Sequence, residues 1–139
     1  MRDDNCIFCK IANGEIPSDT VYEDDMFRVI LDLSPAAKGH ALILPKDHFA
    51  NLYEIDDTVL KEASVVAKKV ACAMKAGLGC EGLNIVQNNG ELAGQTVFHY
   101  HMHIIPRYPD DGQLIGWKPG KSDPDTQKAL AEKIREGIR

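Results

Sequence analysis

His99-Tyr100-His101-Met102-His103-Ile104-Ile105 sets three of the chain's five histidines at strict alternation with apolar residues. In a β-strand, successive side chains point to opposite faces. The run therefore predicts His99, His101 and His103 on one face, backed by Tyr100, Met102 and Ile104 on the other. Imidazole titrates near neutral pH, binds metals, hydrogen-bonds anions and acts as a nucleophile. Full extension puts His99 and His103 about 13 Å apart, beyond one ion's coordination sphere. A metal store or sensor built on all three would need several ions. A polar strand facing solvent needs no chemistry at all.

Other residues carry weaker signals. Cys6-x-x-Cys9 reads as a redox pair, half of a zinc site, or neither. The redox reading wants a preceding strand in a βαβ unit, which this sequence does not predict. Asp32 interrupts the apolar stretch 29–33, either as a functional acid or as a turn residue before Ser34-Pro35. Asn88, in Gln87-Asn88-Asn89-Gly90, fits a turn. There is no Walker-type glycine loop and no cluster of carboxylates suited to magnesium.

The elements that must position these groups follow from periodicity. Residues 7–12 predict one short helical turn, closed by Asn13-Gly14. Two strands, 20–23 and 27–31, are joined by Asp24-Asp25. Residues 41–44 form another strand, stopped by Pro45. Asp56 or Asp57 caps a helix carrying Val59, Leu60, Ala63, Val66, Ala67, Val70 and Met74 at helical spacing, ending near Gly77 and Gly79. A strand at 83–87, a glycine-containing loop at 88–95 and the histidine strand at 97–106 follow. Residues 108–122 read as irregular, and Asp123 or Asp125 caps a last helix to about residue 136. Several hairpin-like strands with one long helix give an α+β architecture around an antiparallel sheet.

Composition narrows the function classes. The chain has 139 residues, suited to one domain over 1–139 with a single core. A net charge of −5 with no basic run argues against general nucleic-acid binding, though not against a small phosphate ligand. No apolar run reaches the roughly 20 residues of a membrane span. The acidic N-terminal segment is not a signal peptide. A cytoplasmic, reducing setting is expected, with the four cysteines unpaired.

The triad, preceded by Gly94-Gln95-Thr96-Val97-Phe98, resembles the histidine triad family of nucleotide hydrolases and transferases. So do Cys6-Ile7-Phe8-Cys9-Lys10-Ile11, Gly14-Glu15-Ile16-Pro17, Tyr22-Glu23-Asp24, Leu31-Asp32-Leu33-Ser34-Pro35, Gly39-His40 and Leu44-Pro45-Lys46-Asp47-His48. They occur in the family's order over about residues 6–107, leaving 108–139 as a tail. The small bacterial members with a cysteine pair are the nearest likeness. The resemblance implies an antiparallel sheet with flanking helices and a homodimer formed through the long helix and a sheet edge.

It also implies roles. His101 matches the nucleophile, which would attack the α-phosphorus of a purine nucleotide and form a nucleotidyl-histidine. His103 would donate to a phosphate oxygen or the leaving atom, and His40 would support the site. Thr96, with the backbone donors of Gly94 and Gln95, would stabilise phosphoryl charge. Asp32 matches the residue that accepts from both ribose hydroxyls, and Asn88 a polar residue near phosphate or ribose. Ile7, Phe8, Ile11, Leu31 and Leu33 match the base pocket, although core packing would place the same residue types. In zinc-bearing relatives a histidine at the position of His48 and the first triad histidine complete the cysteine pair. That implies one structural Zn²⁺ per chain on Cys6, Cys9, His48 and His99, with no organic cofactor.

Thr96 stands where many relatives carry serine. Cys72 reads as core or dimer interface, and Cys80 has no assigned role. Gly116-Trp117-Lys118 either reaches a partner subunit's site or packs on its own sheet. The leaving group (amine, phosphate, nucleotide or acyl) is not legible. A nucleotide-binding regulator with little activity is the alternative, but binding alone would not require a free nucleophile.

Overall fold

The computed structural model describes residues 1–138. In chain order the elements are α1 (Ile7–Ala12), β1 (Thr20–Glu23), β2 (Phe27–Leu31), β3 (Ala41–Pro45), α2 (Asp57–Leu78), β4 (Gly82–Val86), a 3-10 turn (Glu91–Ala93), β5 (Met102–Arg107) and α3 (Pro124–Gly137). The strands form one open antiparallel sheet in the order β1-β2-β3-β5-β4. The fold is α+β, as the sequence predicts.

Alternation along the strands separates two cores. Phe27, Val29, Ala41, Ile43, Met102 and Ile104 face α2, meeting Ala63, Val66, Ala67, Val70 and Met74. Ile30, Leu42 and Leu44 point the other way, onto Ala12 with Phe8 and Ile11 of α1. The first side of the sheet carries the long helix and the second carries α1. His103 lies opposite Leu42 in the β3–β5 register, so its face is the α1 face.

Local chemistry explains the ends of α2. The Asp56 carboxylate accepts the N–H groups of Thr58 and Val59, and Gly79 closes the helix in the left-handed region at φ 64°. The acid predicted as either Asp56 or Asp57 is therefore Asp56.

The histidine strand is shorter than expected. The sequence predicts 97–106, whereas β5 begins at Met102, leaving His99 and His101 before it. The β3–β5 ladder stops at Ile43 opposite Met102. Pro45, further along β3, has no N–H to continue it. Tyr100 instead donates its N–H to the Phe49 carbonyl at 2.6 Å. The chain peels away from β3 where the first two histidines sit.

Residues 108–122 hold no helix or strand, as predicted. No residue of α3 is buried. Trp117 is 88% exposed, so it does not pack on its own sheet. None of the helices is long and apolar enough to cross a membrane, among the described residues.

Candidate active site and metal centre

Backbone partners set the proton positions on three of the histidine rings. A carbonyl only accepts, so His101 Nδ1, 2.7 Å from the His99 oxygen, carries the hydrogen and leaves Nε2 with a free lone pair. The Ala36 N–H donates to His40 Nδ1 at 2.9 Å. Neutral His40 therefore carries its hydrogen on Nε2, which donates to His103 Nδ1 at 2.9 Å. His103 is left with its own hydrogen on Nε2. Two adjacent rings, with centroids 5.0 Å apart, thus present one nucleophilic nitrogen and one N–H donor.

Burial keeps these rings neutral. Desolvation pushes His103 down to about 4, helped by His101 and His40 and opposed by Asp32. His101 and His40 are also lowered by burial, each with Asp32 opposing the shift.

Asp32 follows β2. One carboxylate oxygen accepts the Ser34 N–H at 2.8 Å, which is the turn role. The other lies 3.6 Å from His40 Nε2, so the same acid faces the histidine pair. On either side of it, Leu31 and Leu33 line an open cavity of about 400 Å³ with Ile7, Ile11, Ile16, Pro17, Ser18, Asp19 and Ile30. Leu33 is 93% exposed and Ile7 53%, so these two are not core residues. Four of the five residues expected around a base share this groove, and it adjoins the triad through Asp32. Phe8, the fifth, is not among its lining residues. Its ring packs edge-on against His101, with centroids 5.0 Å apart and planes at 85°.

The loop before the triad corrects one expectation. The Gly94 N–H donates to the Glu91 carbonyl and the Gln95 N–H to the Gly90 carbonyl, both at 3.0 Å. Those two donors are spent inside the loop and do not face a phosphate. The Gln95 side chain braces the same loop, accepting from Gly90 N–H at 2.8 Å and donating to the carbonyls of Ala50 and Val97 at 2.7 and 3.1 Å. Thr96 is exposed, and neither its N–H nor its hydroxyl is held by such a bond among the described residues. Asn88 lies under Gly94, its amide nitrogen 3.7 Å from where a Cβ would stand.

Cys6, Cys9, His48 and His99 form a second cluster, their ligand atoms all within 4.8 Å of one another. Cys6 and Cys9 come from the first turn of α1, and Cys9 is fully buried. His99 donates Nε2–H to the Pro45 carbonyl at 2.8 Å, which turns its Nδ1 lone pair toward both sulfurs at 3.4 Å. His48 Nδ1 lies 3.5 Å from the Cys9 sulfur. A tetrahedral ion with metal–sulfur bonds of about 2.3 Å and metal–nitrogen bonds of about 2.0–2.1 Å has sulfur–nitrogen edges of roughly 3.5 Å. Three of the sulfur–nitrogen distances match those edges, and two thiols with two imidazoles are a donor set that zinc takes. Burial pushes the Cys9 thiol up to about 11 and His99 down to about 4, since desolvation disfavours the charged form of each.

Sequence reasoning missed Ile16, Pro17, Ser18, Asp19 and Ile30 in the groove, although Gly14-Glu15-Ile16-Pro17 was already visible as a motif. It also missed Ala36 and Pro45, whose backbone atoms set ring tautomers. No side-chain signal could have revealed those two.

Comparison with known proteins adds three findings. A family model described as the HIT domain matches residues 13–110. An adenosine 5′-monophosphoramidase of Schizosaccharomyces pombe is 40% identical over 136 residues, covering 97% of this chain and 99% of the relative. Two solved structures superpose over nearly all of the chain. A HIT family protein from Bacillus anthracis gives a TM-score of 0.91 at 39% identity, covering 98% of this chain and 99% of that one. A Zn-bound histidine triad family protein from Mycobacterium smegmatis gives 0.75 at 34%, covering 94% and 96%.

Proposed function

The chain belongs to the HIT domain family, and on that premise we propose that it is a nucleotide hydrolase and nucleotidyl transferase working through His101. Its substrates are purine nucleoside phosphoramidates or dinucleoside polyphosphates. One observation carries the reading: His101 gives its Nδ1–H to the His99 carbonyl, and the neighbouring His103 keeps its hydrogen on Nε2. A free lone pair stands beside a donor in a buried setting, which is what attack and departure at phosphorus require.

The steps follow from those protons. His101 Nε2 attacks the α-phosphorus, forming a P–N bond. The bond to the leaving nitrogen or oxygen breaks with its electron pair: a phosphate oxygen leaves as the anion, a phosphoramidate nitrogen leaves with the proton it carries as P–NH₃⁺, and His103 Nε2–H steadies either by a hydrogen bond. Neutral His40 fixes the orientation of His103 throughout. Water then attacks phosphorus, losing a proton to the released amine or to solvent. The nucleotidyl-histidine bond breaks, and His101 and the nucleoside monophosphate are released. Thr96 donates to the phosphoryl oxygens, Asn88 lies near phosphate or ribose, and Asp32 accepts from the ribose hydroxyls. The groove of Ile7, Ile11, Leu31 and Leu33 takes the purine by shape, with Phe8 beside it against His101. No organic cofactor is needed.

Zinc is the ion for Cys6, Cys9, His48 and His99. It would supply a cross-link between α1 and the segment leading into β5, and it takes no part in the chemical steps. The enzyme is a cytoplasmic homodimer, paired through α2 and the β4 edge. Exposed Ile85 on β4, and Val65 and Leu78 on α2, support that arrangement.

The test is AMP release from adenosine 5′-phosphoramidate, with AMP affinity measured in parallel. His101→Ala should abolish release and keep binding. Equal turnover in both proteins would remove His101 from the mechanism. Tight AMP binding with no turnover of phosphoramidate or dinucleoside polyphosphate would leave a regulator.

A further inference from the structure

Phe8 stands between the two cysteines in sequence and between two histidines in space. Its ring is edge-on to His99 at 6.1 Å and to His101 at 5.0 Å, with interplanar angles of 81° and 85°. One of those histidines belongs to the metal centre and the other is the proposed nucleophile.

The helix carrying Phe8 cannot hold its own place. α1 has six residues, whereas isolated helices below about 12–15 residues are marginal in water. It is held by the burial of Cys9 and Ala12, and by Asn13, whose amide donates to the Cys9 and Lys46 carbonyls at 2.8 and 3.0 Å. It is also held by the two sulfurs against His48 and His99. A bound ion turns those last contacts into four coordinate bonds and fixes the first turn, Phe8 included.

His101 needs such a support. Rotation of a histidine ring about χ2 is broad and roughly two-fold. A ring turned over loses its bond to the His99 carbonyl and its tautomer is no longer set. One hydrogen bond biases that choice only about three- to ten-fold. The plane of the ring is held by its edge contacts with Phe8 and with His103, and without the Phe8 edge the ring can swing off the His99 carbonyl and weaken the bond that sets its tautomer.

We propose that Phe8 is a positioning residue through which the Cys6–Cys9–His48–His99 clip holds the ring of His101, so that metal occupancy governs the nucleophile. The role assigned to His101 rests on the function proposed above. The coupling itself is a property of the two rings and can be read without a nucleotide.

The experiment is ring-nitrogen NMR of histidine-labelled full-length protein, zinc-loaded and zinc-stripped, in wild type, Phe8→Leu and Phe8→Tyr. Loaded wild type should show His101 with hydrogen on Nδ1. Stripping the metal, or Phe8→Leu in the loaded protein, should lower the ratio of the Nδ1–H to the Nε2–H form by about three- to ten-fold, the weight of one hydrogen bond. Stripping Phe8→Leu should add less than stripping does in wild type, because only the link through the His99 peptide group is left. Phe8→Tyr keeps the ring and should match wild type. His103, fixed by His40, should stay unchanged in every sample and serves as the internal reference.

An unaltered His101 in loaded Phe8→Leu overturns the proposal. So does a response to stripping that is as large in Phe8→Leu as in wild type, or a purified protein with no affinity for zinc. Should the stripped chain unfold by circular dichroism, the loaded Phe8→Leu and Phe8→Tyr pair decides. Normal ring signals with no AMP release would count against the proposed enzyme and leave the coupling standing.

Discussion

The carbonyl oxygen of His99 lies 2.7 Å from Nδ1 of His101, while the ring of the same His99 faces the sulfurs of Cys6 and Cys9 at 3.4 Å. One residue thus lends its side chain to the proposed metal centre and its backbone to the proposed nucleophile. The two sites that alternation had set on a single strand are joined through a peptide group. Each prediction below disturbs one link in that arrangement.

In the proposed mechanism His40 acts at one remove from the chemistry. It passes the Ala36 N–H constraint to His103. His40→Ala should lower kcat by about 10²-fold, within the range for losing one oriented donor to the transition state, with a smaller effect on KM. Steady-state kinetics settles this, and an unchanged kcat would remove the relay.

Asp32 should matter to the sugar more than to the phosphate. Asp32→Ala is expected to weaken AMP binding by about ten- to a hundred-fold, the worth of hydrogen bonds to a charged acceptor. Binding of inorganic phosphate should change much less. Calorimetry with both ligands decides, and equal losses would refute the ribose assignment.

Metal analysis should return one zinc per chain. Its removal should lower Tm by at least about 10 °C, because a bound structural ion contributes directly to folding. An unaltered melt with the metal demonstrably gone would contradict a structural role.

Acid should destabilise the fold through His103. Burial holds it at about 4 against an ordinary value of 6.5. Above pH 6.5 the ring is neutral in both states and its stabilising contribution is fully present. As pH falls from 6.5 toward 4, the unfolded chain binds a proton that the folded chain refuses, and stability declines. Thermal melts across that window should fall more steeply for wild type than for His103→Gln. Parallel curves would mean that His103 is not the group responsible.

Gly39 precedes His40 at φ +89°, and a Cβ there would stand 2.5 Å from Leu78 Cδ1. Gly39→Ala strains the backbone and forces the half-exposed end of the Leu78 side chain to turn aside. It should cost about 1–3 kcal/mol in urea denaturation and disturb His40 with it. A neutral result would show that the loop relaxes freely.

Much of this was legible because it depends on periodicity and side-chain type. The helix of Val66, Val70 and Met74 and the strands of Val29 and Ile43 are patterned by the core they share. The metal cluster was legible only through resemblance, since four donors at positions 6, 9, 48 and 99 share no local pattern. Early termination of β5 was hidden, because it depends on the distant Pro45 and on Tyr100 turning to Phe49. The misread donors of Gly94 and Gln95 have a similar cause. A backbone N–H leaves no mark in a sequence, and the loop's own turns claim both groups. Exposure decided what residue type could not: Leu33 and Ile7 look like core residues but line a groove.

The most direct test of the central claim is intact-protein mass spectrometry during turnover of adenosine 5′-phosphoramidate, quenched without acid to preserve a phosphorus–nitrogen bond. An adenylyl adduct on wild type that maps to His101 and is absent from His101→Ala, together with AMP release, is the predicted result. AMP release by wild type with no adduct at any time point, or an adduct that persists in His101→Ala, would contradict it.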